Sequence, residues 1–223
     1  MFFKEYWFLL VLLFFSIIAM SYFYIIHRKE LKLKIWQCIV SAIVMLIIGA
    51  SIAFAFGKYI EFKSISVFGF LIFMPIVNLI YCKIRKLPKE ACDILWIGDI
   101  IAYFIARFNC FYEGCCDGMI FSNGIKFPAR EIEAMVFVFC IIIFITLNSK
   151  NKLKGLGQPI FLISYGSVRF IVEFFKANYH LYIESIPIHI SHIWTTITLI
   201  IGIVYLIIQI KKNRKEQLFT ILE

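Results

Sequence analysis

Two stretches of this chain hold residues able to do chemistry in otherwise apolar surroundings. The first, Ile105 to Glu133, reads IARFNCFYEGCCDGMIFSNGIKFPAREIE. It carries Arg107, the clustered cysteines Cys110, Cys115 and Cys116, the glycines Gly114 and Gly118, and the carboxylates Glu131 and Glu133. The second, Tyr165 to Lys176, reads YGSVRFIVEFFK. Charge at the edge of a hydrocarbon layer, or inside it, is costly and persists mainly where it faces a polar cavity. Tyr165, Arg169 and Glu173 recur every four residues, so on a helix they form one stripe. A guanidinium stays charged and grips phosphate as a fork, so Arg107 and Arg169 together suit a phospholipid headgroup. Arg107 has no acid on the turn before it, because position 103 is Tyr103. Its partner must come from elsewhere, and Glu133 and a lipid phosphate are the two candidates. Arg169 has Glu173 one turn ahead. That order, cation first, is the weaker one for a helix pair, so a stripe facing substrate is the preferred reading, with a self-satisfied pair as the alternative.

The rest of the chain must position these residues. Its 223 residues are 62% hydrophobic with a formal net charge of +9, whereas soluble domains are usually near half apolar. Apolar stretches of about 20 residues are long enough to cross a bilayer as helices. Seven are readable: Tyr6 to Ile26, Ile35 to Phe56, Ser64 to Ile84, Ala91 to about Tyr112, Arg130 to Asn148, Pro159 to about Ala177, and Ile188 to Ile210. The sequence therefore predicts an all-α integral membrane protein of seven transmembrane helices, one domain over 1–223. The first stretch is too long for a signal-peptide core and is read as an anchor. Lysine and arginine divide unevenly between alternate loops. Fifteen fall in the first, third and fifth loops and the C-terminal tail; six, Lys4, Lys58, Lys63, Lys126, Arg130 and Lys176, fall at the N-terminus and in the other loops. The positive-inside rule then predicts an external N-terminus and a cytoplasmic C-terminus. Arg107, Glu133, Arg169 and Glu173 would thus face the outer leaflet. The basic charge is explained by topology, and nucleic acid is not an expected partner.

Seven cysteines set no disulfide framework. Cys38, Cys82, Cys92 and Cys140 are scattered through apolar helices and read as core residues. Cys110 with Cys115 or Cys116 has room for a bridge across a turn at Gly114, while adjacent Cys115 and Cys116 would need strained geometry. His189 and His192 are three residues apart, but a metal site there would need further ligands. No metal is expected, and no phosphate-cradling glycine loop, HExxH or GxSxG is present.

RFNCFYEGCCDG resembles the arginine-centred signature of the bacterial prolipoprotein diacylglyceryl transferases, approximately RIGNFxNGExxG. YGSVRFIVEFFK resembles that family's YGxxRFxxEFxR block more closely. FPAREIEA looks like a worn HPTQLYE that keeps Pro128 and Glu133, and SISVFG looks like GxSxHG or GxSxYG. The resemblance covers about Tyr59 to Gly202. It implies a bacterial cytoplasmic-membrane enzyme that moves a diacylglyceryl group from phosphatidylglycerol to a cysteine thiol of an exported, lipobox-containing prolipoprotein, with no cofactor. On that resemblance Arg107, Arg169 and Tyr165 are catalytic, and Arg107, Cys110, Gly114, Cys115, Gly118, Glu133 and Glu173 contact substrate. Three departures stand out. Cys110 replaces the signature asparagine, Cys115 its glutamate, and Phe68 the family's His or Tyr. A phenylalanine cannot take up a proton. Two other readings stay open: a non-catalytic lipid- or peptide-binding membrane protein on the same scaffold, and a thiol-redox membrane protein using Cys110, Cys115 and Cys116.

Overall fold

The computed structural model describes residues 2–61, 66–112, 118–149, 153, 155–176, 182–183 and 186–222. These form helices α1 (Phe2–Ile26), α2 (Ile35–Phe56, extended by a π-helical turn Gly57–Glu61), α3 (Val67–Ile84), α4 (Lys89–Ala106), α5 (Phe108–Tyr112), α6 (Ala129–Ser149), α7 (Gly157–Glu173) and α8 (Ile190–Leu222). A two-stranded antiparallel ribbon, β1 (Tyr182–Ile183) and β2 (Ile186–His189), precedes α8. Among the described residues, six helical stretches are long and apolar enough to cross a membrane: Trp7–Ile26, Ile35–Ile60, Val67–Ile84, Ala91–Tyr112, Ala129–Ser149 and Ser191–Arg214. The stretch expected from Pro159 to Ala177 is the shorter and more polar α7. The expected Ala91 to Tyr112 helix turns at Arg107, where α4 passes into α5.

Local chemistry explains the breaks. Pro88 takes the N-cap position of α4, where its missing N–H costs no helical bond. Ser66 caps α3, its hydroxyl accepting from the Phe68 N–H at 3.1 Å. Gly155 has φ +83°, a conformation cheap only for glycine.

Helix α4 is the axis of the bundle. Ala91 through Ile100 are all buried, the signature of a helix surrounded on every side. It packs on α1, α3, α6 and α7; α1 packs on α2, α2 on α3, and α7 on α8. Directions follow from the contacts. Ser16 of α1 donates to the Ala102 carbonyl, and Tyr24 donates to that of Leu95, so α1 runs opposite to α4. The Tyr24 ring lies where a Cβ at Gly98 would sit, and this lets the two helices approach closely.

Helices α4 and α7 run parallel and are tied at their N-terminal ends. Buried Asp93 on α4 accepts from the N–H groups of Gly155 at 2.6 Å and Gly157 at 2.9 Å. A carboxylate there satisfies donors that a helix start leaves open. The loops carrying Arg28, Lys29, Lys32 and Lys34, and Lys83, Arg85 and Lys86, lie at this Asp93 end. So does the basic C-terminal part of α8, whose Gln209 packs on Gly155. The opposite end holds Arg107.

Candidate functional site

At the Arg107 end three helices bring five ionic side chains together. Arg107 closes α4, Glu133 sits in the second turn of α6, Arg169 and Glu173 face it from α7, and Lys176 lies just past α7. Glu133 is the hub. One of its carboxylate oxygens accepts from Arg107 Nη2 and the other from Arg169 Nη1. Lys176 Nζ lies 2.8 Å from the second oxygen. Glu173 stands 3.1 Å from Arg169 Nε and 3.5 Å from Lys176 Nζ. Glu133 is fully buried, and the other four are buried as well.

The geometry answers the question of Arg107's partner: it is Glu133. Arg169 pairs both with Glu173 on its own helix and with Glu133 across the interface. The stripe is therefore built into an ionic cluster between α4, α6 and α7. Three cations meet two carboxylates, so the described residues carry one excess positive charge in a water-poor setting. Buried charge is tolerated when paired, and here each cation lies against at least one carboxylate.

Tyr165, one turn before Arg169, is buried with its ring 5.1 Å from Phe137 and 5.8 Å from Phe161, stacked on the latter. Phe68 is also buried here, its ring 5.8 Å from the Arg169 guanidinium. The position where the resemblance has an acid–base residue thus offers only an aromatic face, which favours a cation. Cys110 is half-buried on α5, and its carbonyl accepts from Arg130 Nη1 at 3.4 Å. Gly114, Cys115 and Cys116 lie outside the described residues, and so does any bridge from Cys110 to either cysteine. Gly118 is buried and pairs across to Lys176. A Cβ on it would collide with the Phe127 carbonyl, so only glycine allows that approach.

Lys176 is the member that sequence reasoning assigns to a loop. Its spacing holds the missing signal. It lies three residues past Glu173 and seven past Arg169, which continues the same stripe. A second buried pair was also unanticipated: Asn78 Nδ2 donates to Asp99 Oδ2 at 2.8 Å between α3 and α4. Among the described residues, no group of three or more His, Cys, Asp or Glu side chains is arranged to hold a metal.

These features define a polytopic helical membrane protein with a buried, cation-rich ionic cluster at one end of the bundle. Residues 2–208 match the prolipoprotein diacylglyceryl transferase family, and the chain belongs to that family. Curated relatives carry the same description. The phosphatidylglycerol–prolipoprotein diacylglyceryl transferase 2 of Clostridium perfringens is 29% identical over 129 residues, 48% of this chain and 50% of that protein. The Streptococcus uberis enzyme is 26% identical over 165 residues, 66% of this chain and 62% of its own length. That of Idiomarina loihiensis is 28% identical over 178 residues, 70% and 63%. This chain thus spans between half and about two thirds of the relatives it matches. No solved structure matches it.

Proposed function

We propose that this protein transfers a diacylglyceryl group from phosphatidylglycerol to the cysteine thiol of an exported lipoprotein precursor. The carrying observation is the Arg107–Glu133–Arg169–Glu173–Lys176 cluster, which among the described residues holds three cations against two carboxylates, within a chain of this family. In the reaction the thiol sulfur attacks the glyceryl carbon, a C–S bond forms, and the C–O bond to phosphate breaks. The thiol proton is released, and glycerol phosphate leaves with the bonding electrons. Arg107, Arg169 and Lys176 stabilise the charge gathering on the departing phosphate. Glu133 holds the two guanidiniums in register, and Tyr165 fixes the α6–α7 wall behind them. Phe68 has no proton-accepting atom, so the thiol proton leaves by another route.

Purified protein supplied with labelled phosphatidylglycerol and a lipobox peptide is expected to transfer label to the peptide thiol. The same observation of Phe68 favours one other reading, a lipid-binding member of the family without the chemistry. Binding of phosphatidylglycerol with no label on any thiol peptide establishes that reading and removes the first.

The arrangement we propose in the membrane is seven spans, with the N-terminus outside, the C-terminus cytoplasmic and the cluster facing the outer leaflet. The supporting observation is that the basic loops gather at the Asp93 end, away from the cluster. A reporter at Asn123 is expected to behave as external and one after Lys212 as cytoplasmic. A cytoplasmic signal from Asn123 reverses the assignment.

A further inference from the structure

Between α5 and α6 the chain makes a small hairpin that none of the family's signature residues explains. Ile120 pairs with Lys126. The turn is closed by Phe121 N–H to the Ile125 carbonyl and Gly124 N–H to that of Phe121, both 2.9 Å, with Gly124 at φ +80°. The Asn123 side chain accepts from the Ile125 N–H at 3.0 Å. The base is fastened to the site helix: Met119 N–H donates to the Phe175 carbonyl at 2.7 Å, and Phe127 stacks on Phe175 at 4.6 Å.

The hairpin tip is apolar and open. Ile120 is 68% exposed, Ile125 61% and Phe121 37%. Beside it, Phe111 and Tyr112 at the end of α5 are exposed, and Arg130 lies against the Phe111 ring at 5.4 Å. The apolar outer surface of the bundle therefore continues onto the hairpin. A soluble loop seldom groups three large aliphatic or aromatic side chains in this way, and such patches mark a docking surface.

We propose that this tip is an interfacial anchor: Ile120, Phe121 and Ile125 enter the boundary between headgroups and acyl chains of the leaflet that borders the ionic cluster. Two properties fit that depth. The N–H groups of Met119, Phe121, Gly124, Ile125 and Phe127 are already bonded within the protein, so the backbone enters a water-poor layer with few donors to satisfy. Ser122 and Asn123 at the very tip are exposed and polar, which suits shallow insertion among headgroups and opposes deeper burial. Because Met119 and Gly118 are joined to Phe175 and Lys176, the anchor ties the Lys176 side of the cluster to that boundary.

The test uses the full chain in vesicles of phosphatidylglycerol and phosphatidylethanolamine. A photoreactive diazirine amino acid replaces Ile120 or Ile125, both exposed enough to be changed without disturbing the fold, and Ser51 on the outer face of α2 serves as a lipid-facing control. On illumination, positions 120 and 125 are expected to give phospholipid adducts at a yield within about threefold of the control. Quenching by water alone at both positions overturns the anchor, and so does a protein adduct in place of lipid. The readout is independent of thiol transfer, so it stands or falls apart from the proposed reaction.

Discussion

Glu133→Gln is expected to destabilise the folded bundle by about 3–5 kcal/mol, the range seen when one partner is deleted from a buried ionic cluster. Among the described residues, the variant leaves Arg169 and Lys176 with Glu173 and takes from Arg107 the carboxylate it pairs with. Glutamine keeps the length and one carbonyl acceptor but removes the negative charge at the point where all three cations converge. No solvent reaches the position, since Glu133 is fully buried. The expected result is lower abundance in membranes and earlier thermal unfolding in a fixed detergent. A variant that accumulates and melts like the wild type shows that Glu133 is not the structural hub.

Removing a cation has the opposite balance. Arg107→Gln and Lys176→Gln each leave two cations against two carboxylates, so the cluster loses its excess charge while remaining paired. Folding is expected to survive. Transfer from phosphatidylglycerol is expected to fall at least about tenfold, because a charge-assisted contact contributes roughly 1.5–3 kcal/mol and about 1.4 kcal/mol is a factor of ten. Lys176→Arg keeps the charge and should retain most of the activity. The comparison requires activity per folded molecule alongside abundance. Normal transfer at normal abundance in Arg107→Gln or Lys176→Gln removes that residue from the site.

The elements of this fold were readable where composition changes abruptly. Ile35 to Phe56 and the start of α4 after Pro88 fall where the apolar run and the proline put them. The pairing inside the site was less readable. Arg107, Arg169 and Glu173 could be singled out because charge is rare in apolar spans. Glu133, the common partner of Arg107 and Arg169, lies in the second turn of a helix whose first turn contains Arg130 and Glu131. The sequence offered Glu133 as one of two candidate partners for Arg107; that Arg169 and Lys176 share it is visible only in the packing of α6 between α4 and α7. Lys176 was hidden because it follows the apolar part of α7, where a lysine normally reads as the end of a span. The capping of α7 by Asp93 was hidden for a related reason. A carboxylate 62 residues upstream of Gly155 is visible as a cap only once α4 and α7 lie side by side.

The route by which Glu133 joins Arg107 to Arg169 has a bearing on how the protein is made. A polytopic chain enters the bilayer in order of synthesis, and Arg107 arrives first. Its carboxylate is 26 residues downstream. The cation that shares that carboxylate lies 36 residues further on. At about 5–20 residues per second, Arg107 waits for seconds beside lipid without a partner, at a cost that translocation of an isolated charge makes substantial. Helix α4 breaks at Arg107, within the last third of the apolar stretch Ala91–Tyr112. From there a long arginine side chain has only a short reach out of the hydrocarbon until α6 arrives. The helix break that positions Arg107 in the finished cluster thus also makes its insertion feasible before the cluster exists.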